Sequence, residues 1–434
     1  MTDRTPIELL MDEYQLAMAD TYLAMGTAGD RVAFELFVRE MPRNRGYLLA
    51  AGLESAVRYL TSLSFGERAL DYLARSETCS AALIAHLRGL RFEGDLHAVP
   101  EGTVIYVGEP ILRVECPRLT GQLAESYLLN QVNFQTLIAT QATRMVFAAE
   151  GRPVVDFGFR RAHGGEAGLL AARCAYLGGC AATATVAAGY EWGIPTSGTM
   201  SHSFVMGCQS ELDAFIAFLR DHPGRSTLLI DTYDTLQGAR NVVRAARATG
   251  ITPVAVRIDS GDLDLLSREV RRILDEGGLT STQIFCSGDL DEYRIDELVK
   301  ARAPIDGFGV GTRLVTGGDV AALGGVYKLV ESDGRPVMKT SVEKGTLPGR
   351  HQVWRTPDGD VMGLVGEELD GRPLIQPVML DGSRVSDPPT LEASRALARE
   401  ELAAVPDQCR PLVSPASVRP ELSDRLRVLK EKLS

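Results

Sequence analysis

The chain has 434 residues, 45% of them hydrophobic, which suits two or three domains with full cores. Lys and Arg number 46 against 57 Asp and Glu, a balance of −11; this argues against bulk nucleic-acid binding, which needs a clustered positive footprint, but not against a small anion held in a local pocket. The odd set Cys79, Cys116, Cys174, Cys180, Cys208, Cys286 and Cys409 contains no CxxC pair and suits reduced thiols, and the charged MTDRTPIELL start lacks the apolar run of a signal peptide, so a cytoplasmic protein is expected.

Residues 1–118 mix element types. Apolar residues recur at helical spacing over Ile7 to Met25, RVAFELFVR (Arg31 to Arg39) is rich in β-formers, and Leu48 to Leu60 and Ser80 to Leu90 are helical in pattern. Val104 to Val114 predicts a hairpin centred on Gly108-Glu109-Pro110. Over 119–325 the rhythm changes: a long helix, Leu119 to Glu150, leads into the strand VVDFGF, a helix from Gly165 to Leu177, a short segment near Ala181 and a strand at Ile194 to Gly198. The stretch Ala167 to Ile194 is apolar but carries Arg173 and Glu191, which suits core packing and not a bilayer span. STLLID, TPVAVRID, TQIFCSG and IDGFGVG then alternate with helices over Thr235 to Thr249, Leu263 to Glu276 and Asp291 to Ala301. Such βα repetition predicts a parallel sheet, and the missing dinucleotide fingerprint favours an irregular TIM-like α/β barrel, closed or open, over a doubly wound sheet. Residues 326–434 return to strands and turns and end in a charged helical tail; they are expected to complete the N-terminal domain, giving a discontinuous α+β domain.

Polar residues collect at the C-terminal ends of these strands: Arg160-Arg161, then Thr199 to Ser203 with His202, then Asp231 to Asp234, Arg257 with Asp259 and Ser260, Ser287 to Asp289, and Gly311 to Arg313. In a parallel barrel these ends open onto one face, which carries the active site. Gly309-Val310-Gly311-Thr312 and Ser287-Gly288-Asp289 could let backbone N–H groups approach a phosphate. Asp231 and Asp259 could hold ribose hydroxyls or Mg²⁺, could stabilise a cationic sugar, or could merely cap the helices that follow. His202 stands between two serines, where a structural role is common, and no metal motif links the six histidines.

VVDFGFRRAHG, GIPTSGTMSHSFV, VRIDSGDLDLLS and GFGVGTRL, together with MDEYQLAMADTY, FELFVRE and KTSVEKGTLPGRHQV, closely resemble nicotinate phosphoribosyltransferases from about residue 8 to about residue 355. The resemblance implies transfer of phosphoribose from its pyrophosphate to nicotinate, driven by ATP through a phosphohistidine at His202, with Asp231 and Asp259 facing the ribose and a Mg²⁺ ion. It implies that Thr199 contacts substrate, that Phe157 and Tyr14 sandwich the pyridine, and that Arg160 and Arg257 lie beside the ring and its carboxylate. Gly288, Gly309, Gly311 and Thr312 would cradle the 5-phosphate, and Arg39 and Lys339 would neutralise pyrophosphate. Tyr14 would reach in from the second subunit of a homodimer. Three departures stand out. Ala184-Thr185 replaces the family's usual Ser-Asn, and the aspartate that holds an amide in the nicotinamide-using relative is absent, which points to the acid substrate. Ser201 stands where alanine is usual, and Cys409 alone does not make the zinc knuckle of some relatives. The alternatives are an enzyme using nicotinamide or another pyridine carboxylate, and a non-catalytic regulatory homologue.

Overall fold

The computed structural model describes residues 5–76, 78–341 and 345–434. The chain divides into two compact units, one built from residues up to Leu137 with Ala322–Ser434, the other from Ile138–Ala321. The division falls inside the helix Arg118–Ala148, where sequence alone put it near 118/119.

The first unit is discontinuous in sequence. RVAFELFV forms the strand Arg31–Val38, paired antiparallel with Pro110–Pro117 on one side and Gly325–Ser332 on the other, so early and late segments share one seven-stranded sheet. Val32, Ala33, Phe34, Leu36 and Val38 are buried, and so is Glu35 between them. A carboxylate there needs partners. Glu35 accepts from the His351 backbone N–H at 2.8 Å, and its other oxygen lies 2.6 Å from His351 Nδ1. Residues after 350 add a four-stranded sheet and two helices, Leu391–Ala403 and Asp424–Leu433.

Three sequence expectations are corrected in this unit, and one helix is added. The Val104 to Val114 hairpin is absent: Val104–Ile105 pairs with Leu48–Leu49, whereas Pro110–Pro117 joins the large sheet, and the intervening Gly108 N–H bonds back to Val38. The turn was real, but tertiary pairing sent its arms to different sheets. Ile7 to Met25 is broken into a short 3₁₀ turn and the helix Glu13–Ala24, whose start is set by a capping box of Asp12 and Gln15. Leu48–Leu49 is strand, with the helix beginning only at Leu53 after Gly52 at φ +97°. The helix Glu67–Arg75 was not anticipated.

The second unit carries a parallel sheet of six short strands: β1 Val154–Asp156, β2 Ala182–Thr183, β3 Thr227–Leu229, β4 Ala255–Ile258, β5 Gln283–Cys286 and β6 Gly307–Val310. Their order, β2-β1-β6-β5-β4-β3, leaves β2 and β3 as edges, so the barrel is open. Strands such as β4 and β6 are buried throughout, as expected where helices cover a parallel sheet. Ile194 to Gly198 is not a strand; it contributes one parallel bridge, Thr183 to Thr196. Pro195 has no N–H to offer a ladder.

The helices begin and end where local chemistry dictates. α1 is Gly165–Leu177, α2 Val186–Trp192, α3 His202–Met206, α4 Glu211–Asp221, α5 Thr235–Thr249, α6 Leu263–Glu276, α7 Glu292–Lys300 and α8 Thr312–Val315. Side chains of Ser210, Asp234, Asp262 and Asp291 accept from backbone N–H groups of α4, α5, α6 and α7. Gly250 at φ +70° ends α5. Buried Glu292 accepts from Gln141 Nε2 at 2.6 Å and Arg144 Nε at 3.0 Å, tying α7 to the end of the long helix. Among the described residues no helix is long and apolar enough to cross a membrane.

Candidate active site

Asp231 and Asp259 follow β3 and β4, neighbouring parallel strands. Neither caps a helix, since Asp234 and Asp262 do that work three residues later. The two carboxylates are joined instead. Asp231 Oδ2 accepts from the Asp259 N–H at 3.0 Å and from Ser260 Oγ at 2.6 Å. Asp231 Oδ1 is buried without a hydrogen-bond partner among the described residues. A buried carboxylate oxygen left unpaired costs stability unless a ligand uses it.

Arg257, in the interior of β4, is buried and organises the cluster. Its Nε donates to Ser287 Oγ at 2.7 Å, Nη1 to Thr199 Oγ1 at 3.1 Å and Nη2 to Asp259 Oδ1 at 2.5 Å. The guanidinium also sits 5.2 Å from the centre of the Phe157 ring, within cation–π range. Ser287 donates in turn to Asp259 Oδ1 at 2.5 Å. Burial by itself raises the Asp259 carboxyl, but the Ser287 hydrogen bond and the Arg257 charge outweigh it and hold the group below the usual carboxylate range. Asp259 is therefore an anion at neutral pH.

His202 opens α3 half-buried, with Nδ1 3.1 Å from Thr232 Oγ1. If the hydroxyl oxygen accepts the Nδ1 proton, Nε2 keeps its lone pair. Thr199, Asp231, Arg257, Asp259 and Phe157 thus form one network with Ser260 and Ser287, and the His202–Thr232 pair adjoins it through the chain, since Thr232 follows Asp231.

The glycines divide. Gly288, at φ +103°, packs so closely behind Asp259 that a Cβ would lie 2.0 Å from the Asp259 carbonyl oxygen. Gly309 sits inside β6 where the Phe157 ring takes the space of a Cβ, 2.5 Å away. Gly311 and Thr312 are half-buried at the end of β6, with Gly311 immediately before α8. Arg160 lies in an exposed 3₁₀ turn after β1, with no hydrogen bond or ion pair among the described residues.

Three candidates belong to the first unit. Tyr14 lies on the helix Glu13–Ala24, 44% exposed, and burial together with nearby Glu125 pushes its hydroxyl up to about 12, so it stays protonated. Arg39 and Lys339 line a cavity of about 650 Å³ with Met338, Thr346 and His351.

Sequence reasoning passed over the bridging role of Ser287 and the support given by Asp156 and Thr183. Asp156 is buried, accepting from Thr183 Oγ1 and the Gly158 N–H, both at 2.7 Å, and burial raises its carboxyl although these bonds oppose the rise. The signal was available: Ser287 follows β5 just as Asp259 follows β4. For Mg²⁺ the donor set is sparse, since no group of three or more His, Cys, Asp or Glu gathers among the described residues. Two carboxylates with one unused oxygen fit an ion that keeps most of its waters and binds substrate oxygens.

Residues 9–133 match the model of the nicotinate phosphoribosyltransferase N-terminal domain. The chain is 45% identical over 427 residues to nicotinate phosphoribosyltransferase pncB2 of Mycobacterium tuberculosis, covering 96% of this chain and 92% of the relative. Against nicotinate phosphoribosyltransferase of Bacillus subtilis it is 41% identical over 380 residues, 84% of this chain and 77% of that one. The crystal structure of human nicotinic acid phosphoribosyltransferase superimposes with a TM-score of 0.86 at 30% identity, covering 98% of this chain and all of that one (100%).

Proposed function

This chain belongs to the nicotinate phosphoribosyltransferase family, and we propose that it converts nicotinate and 5-phosphoribosyl 1-pyrophosphate into nicotinate mononucleotide and pyrophosphate in NAD salvage. The observation that carries this reading is the network centred on Arg257 and Asp259. It unites a carboxylate held ionised at neutral pH, a second carboxylate with an unused oxygen, and a guanidinium over an aromatic face.

Breaking the bond between the anomeric carbon and pyrophosphate builds positive charge on the sugar and negative charge on the leaving group. Asp259 and Asp231 stabilise the first, while Arg39 and Lys339, contributed by a second copy in a homodimer, balance the second. Arg257 has spent three of its five N–H donors on Thr199, Ser287 and Asp259, so two remain for the nicotinate carboxylate. Phe157 stacks on one pyridine face, Tyr14 of a second copy on the other, and Arg160 lies beside the ring. Gly311 and Thr312 approach the 5-phosphate by their backbone N–H groups, while Gly288 lets the chain pack against the Asp259 backbone and Gly309 leaves room for the Phe157 ring. Mg²⁺ would be held by Asp231 and Asp259 and would neutralise diphosphate oxygens.

ATP enters as a co-substrate. Thr232 fixes His202 with Nε2 open; Nε2 attacks the γ-phosphorus, the bond to ADP breaks, and the new phosphate adds charge beside the substrate site. Absence of an amide-orienting aspartate at Ala184 favours nicotinate over nicotinamide.

Initial rates with nicotinate, nicotinamide and quinolinate, each with and without ATP, test the reading. Nicotinate should turn over, faster with ATP. Turnover of nicotinamide alone, or of none of the three, would defeat it. Acid-labile phosphate should map to His202 after ATP treatment, and His202→Ala should lose ATP stimulation while keeping slow transfer; unchanged ATP hydrolysis in that variant would give the histidine another job.

A further inference from the structure

The cavity that holds Arg39 and Lys339 has two more cations on its wall, Arg419 and Lys430, both from the C-terminal segment. None of the four is ion-paired among the described residues, and Arg39 Nε is buried without a hydrogen-bond partner. Two acids share the wall. Glu35 is already committed to His351, which leaves Glu40 as the one lining acidic side chain with no hydrogen bond or ion pair among the described residues. The four cations outnumber the Glu35 and Glu40 carboxylates around about 650 Å³, a surplus that suits an anionic ligand.

The tail is built to keep two of them there. Glu421–Leu422 pairs in parallel with Gly359–Leu364, matching Met362 to Leu422, and Met362 and Leu422 both line the cavity. Ser423 caps the following helix by accepting the Leu426 N–H at 3.2 Å, while its own hydroxyl donates to Glu367 at 2.8 Å. Leu426 is fully buried and anchors that helix. Arg419 stands two residues before the anchored strand, its guanidinium 3.8 Å from where a Cβ of Gly108 would lie. Exposed cations on a docked segment need not converge on one cavity for stability, and here they do.

We propose that the C-terminal segment is part of the diphosphate site: Arg419 and Lys430 bind the same diphosphate-bearing anion as Arg39 and Lys339. The inference rests on the reading of Arg39 and Lys339 as the pyrophosphate end, and it gives the tail a function in substrate binding.

Titration of the full-length protein with inorganic pyrophosphate, followed by calorimetry, tests it. Arg419→Ala should weaken binding about tenfold, and the Arg419→Ala/Lys430→Ala pair by about thirtyfold or more, with a smaller loss of affinity on adding salt. Arg425→Ala, an exposed arginine on the same helix that is not on the cavity wall, should stay within about twofold. Both tail positions are exposed, so urea midpoints should not move. Arg39→Ala separates the two ideas. Weakening by Arg39→Ala with wild-type affinity in both tail variants would overturn the tail inference alone. Wild-type affinity in all of them would overturn the pyrophosphate reading as well.

Discussion

Replacing Arg257 by lysine keeps the charge and removes the fork, which isolates what the fork does. The side chain is 11% exposed and donates to three different acceptors, Thr199, Ser287 and Asp259, while lying over Phe157. An ammonium can satisfy Asp259 but cannot reach all three in one plane. The loss is two hydrogen bonds of about 1 kcal/mol each and part of a cation–π contact of about 0.5–1 kcal/mol. Together that is about 2–3 kcal/mol, or about a 30- to 150-fold fall in kcat/KM for nicotinate. Asp259 retains a cation, but the lost bonds also hold the folded chain together, so the urea midpoint should fall as well. Steady-state kinetics of Arg257→Lys at saturating phosphoribosyl pyrophosphate, beside the urea curve, gives the answer. A variant within threefold of wild type would refute the idea that the planar fork organises the site.

Ser287→Ala should raise the Asp259 carboxyl toward its ordinary value. The folded value is depressed, so the stabilisation is complete above the unfolded value of about 3.9 and fades as pH falls through the folded one. The stability gap between wild type and variant should therefore be constant from neutrality to about pH 5 and narrow below about pH 4; a gap that widens on acidification would contradict the assignment. Gly288→Ala forces a positive φ on alanine and a Cβ into the Asp259 carbonyl, so urea denaturation should show a loss of about 2–3 kcal/mol and activity should collapse with it. Glu292→Leu removes the buried acceptor that Gln141 and Arg144 share, and unfolding should show about 2–3 kcal/mol of destabilisation; a neutral result would mean that these bonds do not hold α7.

The helices of the second unit were legible because their signals are local. Gly165–Leu177, Thr235–Thr249 and Leu263–Glu276 run between the residues that sequence assigned, with Asp234 and Asp262 as caps and Gly250 as a stop. The carboxylates Asp231 and Asp259 were legible as strand-end residues, although only coordinates separate a bridged pair from two caps. What depended on partners far along the chain was not legible. Pro110–Pro117 reads as half of a hairpin until Arg31–Val38 and Asp95–Ala98 claim it, and Ile194 to Gly198 reads as a strand until the ladder is seen to stop at one bridge. Arg419 carries no motif at all. Its place at the cavity follows from the pairing of Glu421–Leu422 with Gly359–Leu364, which two-residue strands do not advertise.

The strand order of the second unit has a consequence for synthesis. β6 inserts between β1 and β5, so Val154–Asp156 lacks one neighbour until residue 310 has left the ribosome. Arg31–Val38 likewise waits for Gly325–Ser332. Nascent chains that stop between these points expose open β edges on both units, which makes them the species that chaperones should hold longest.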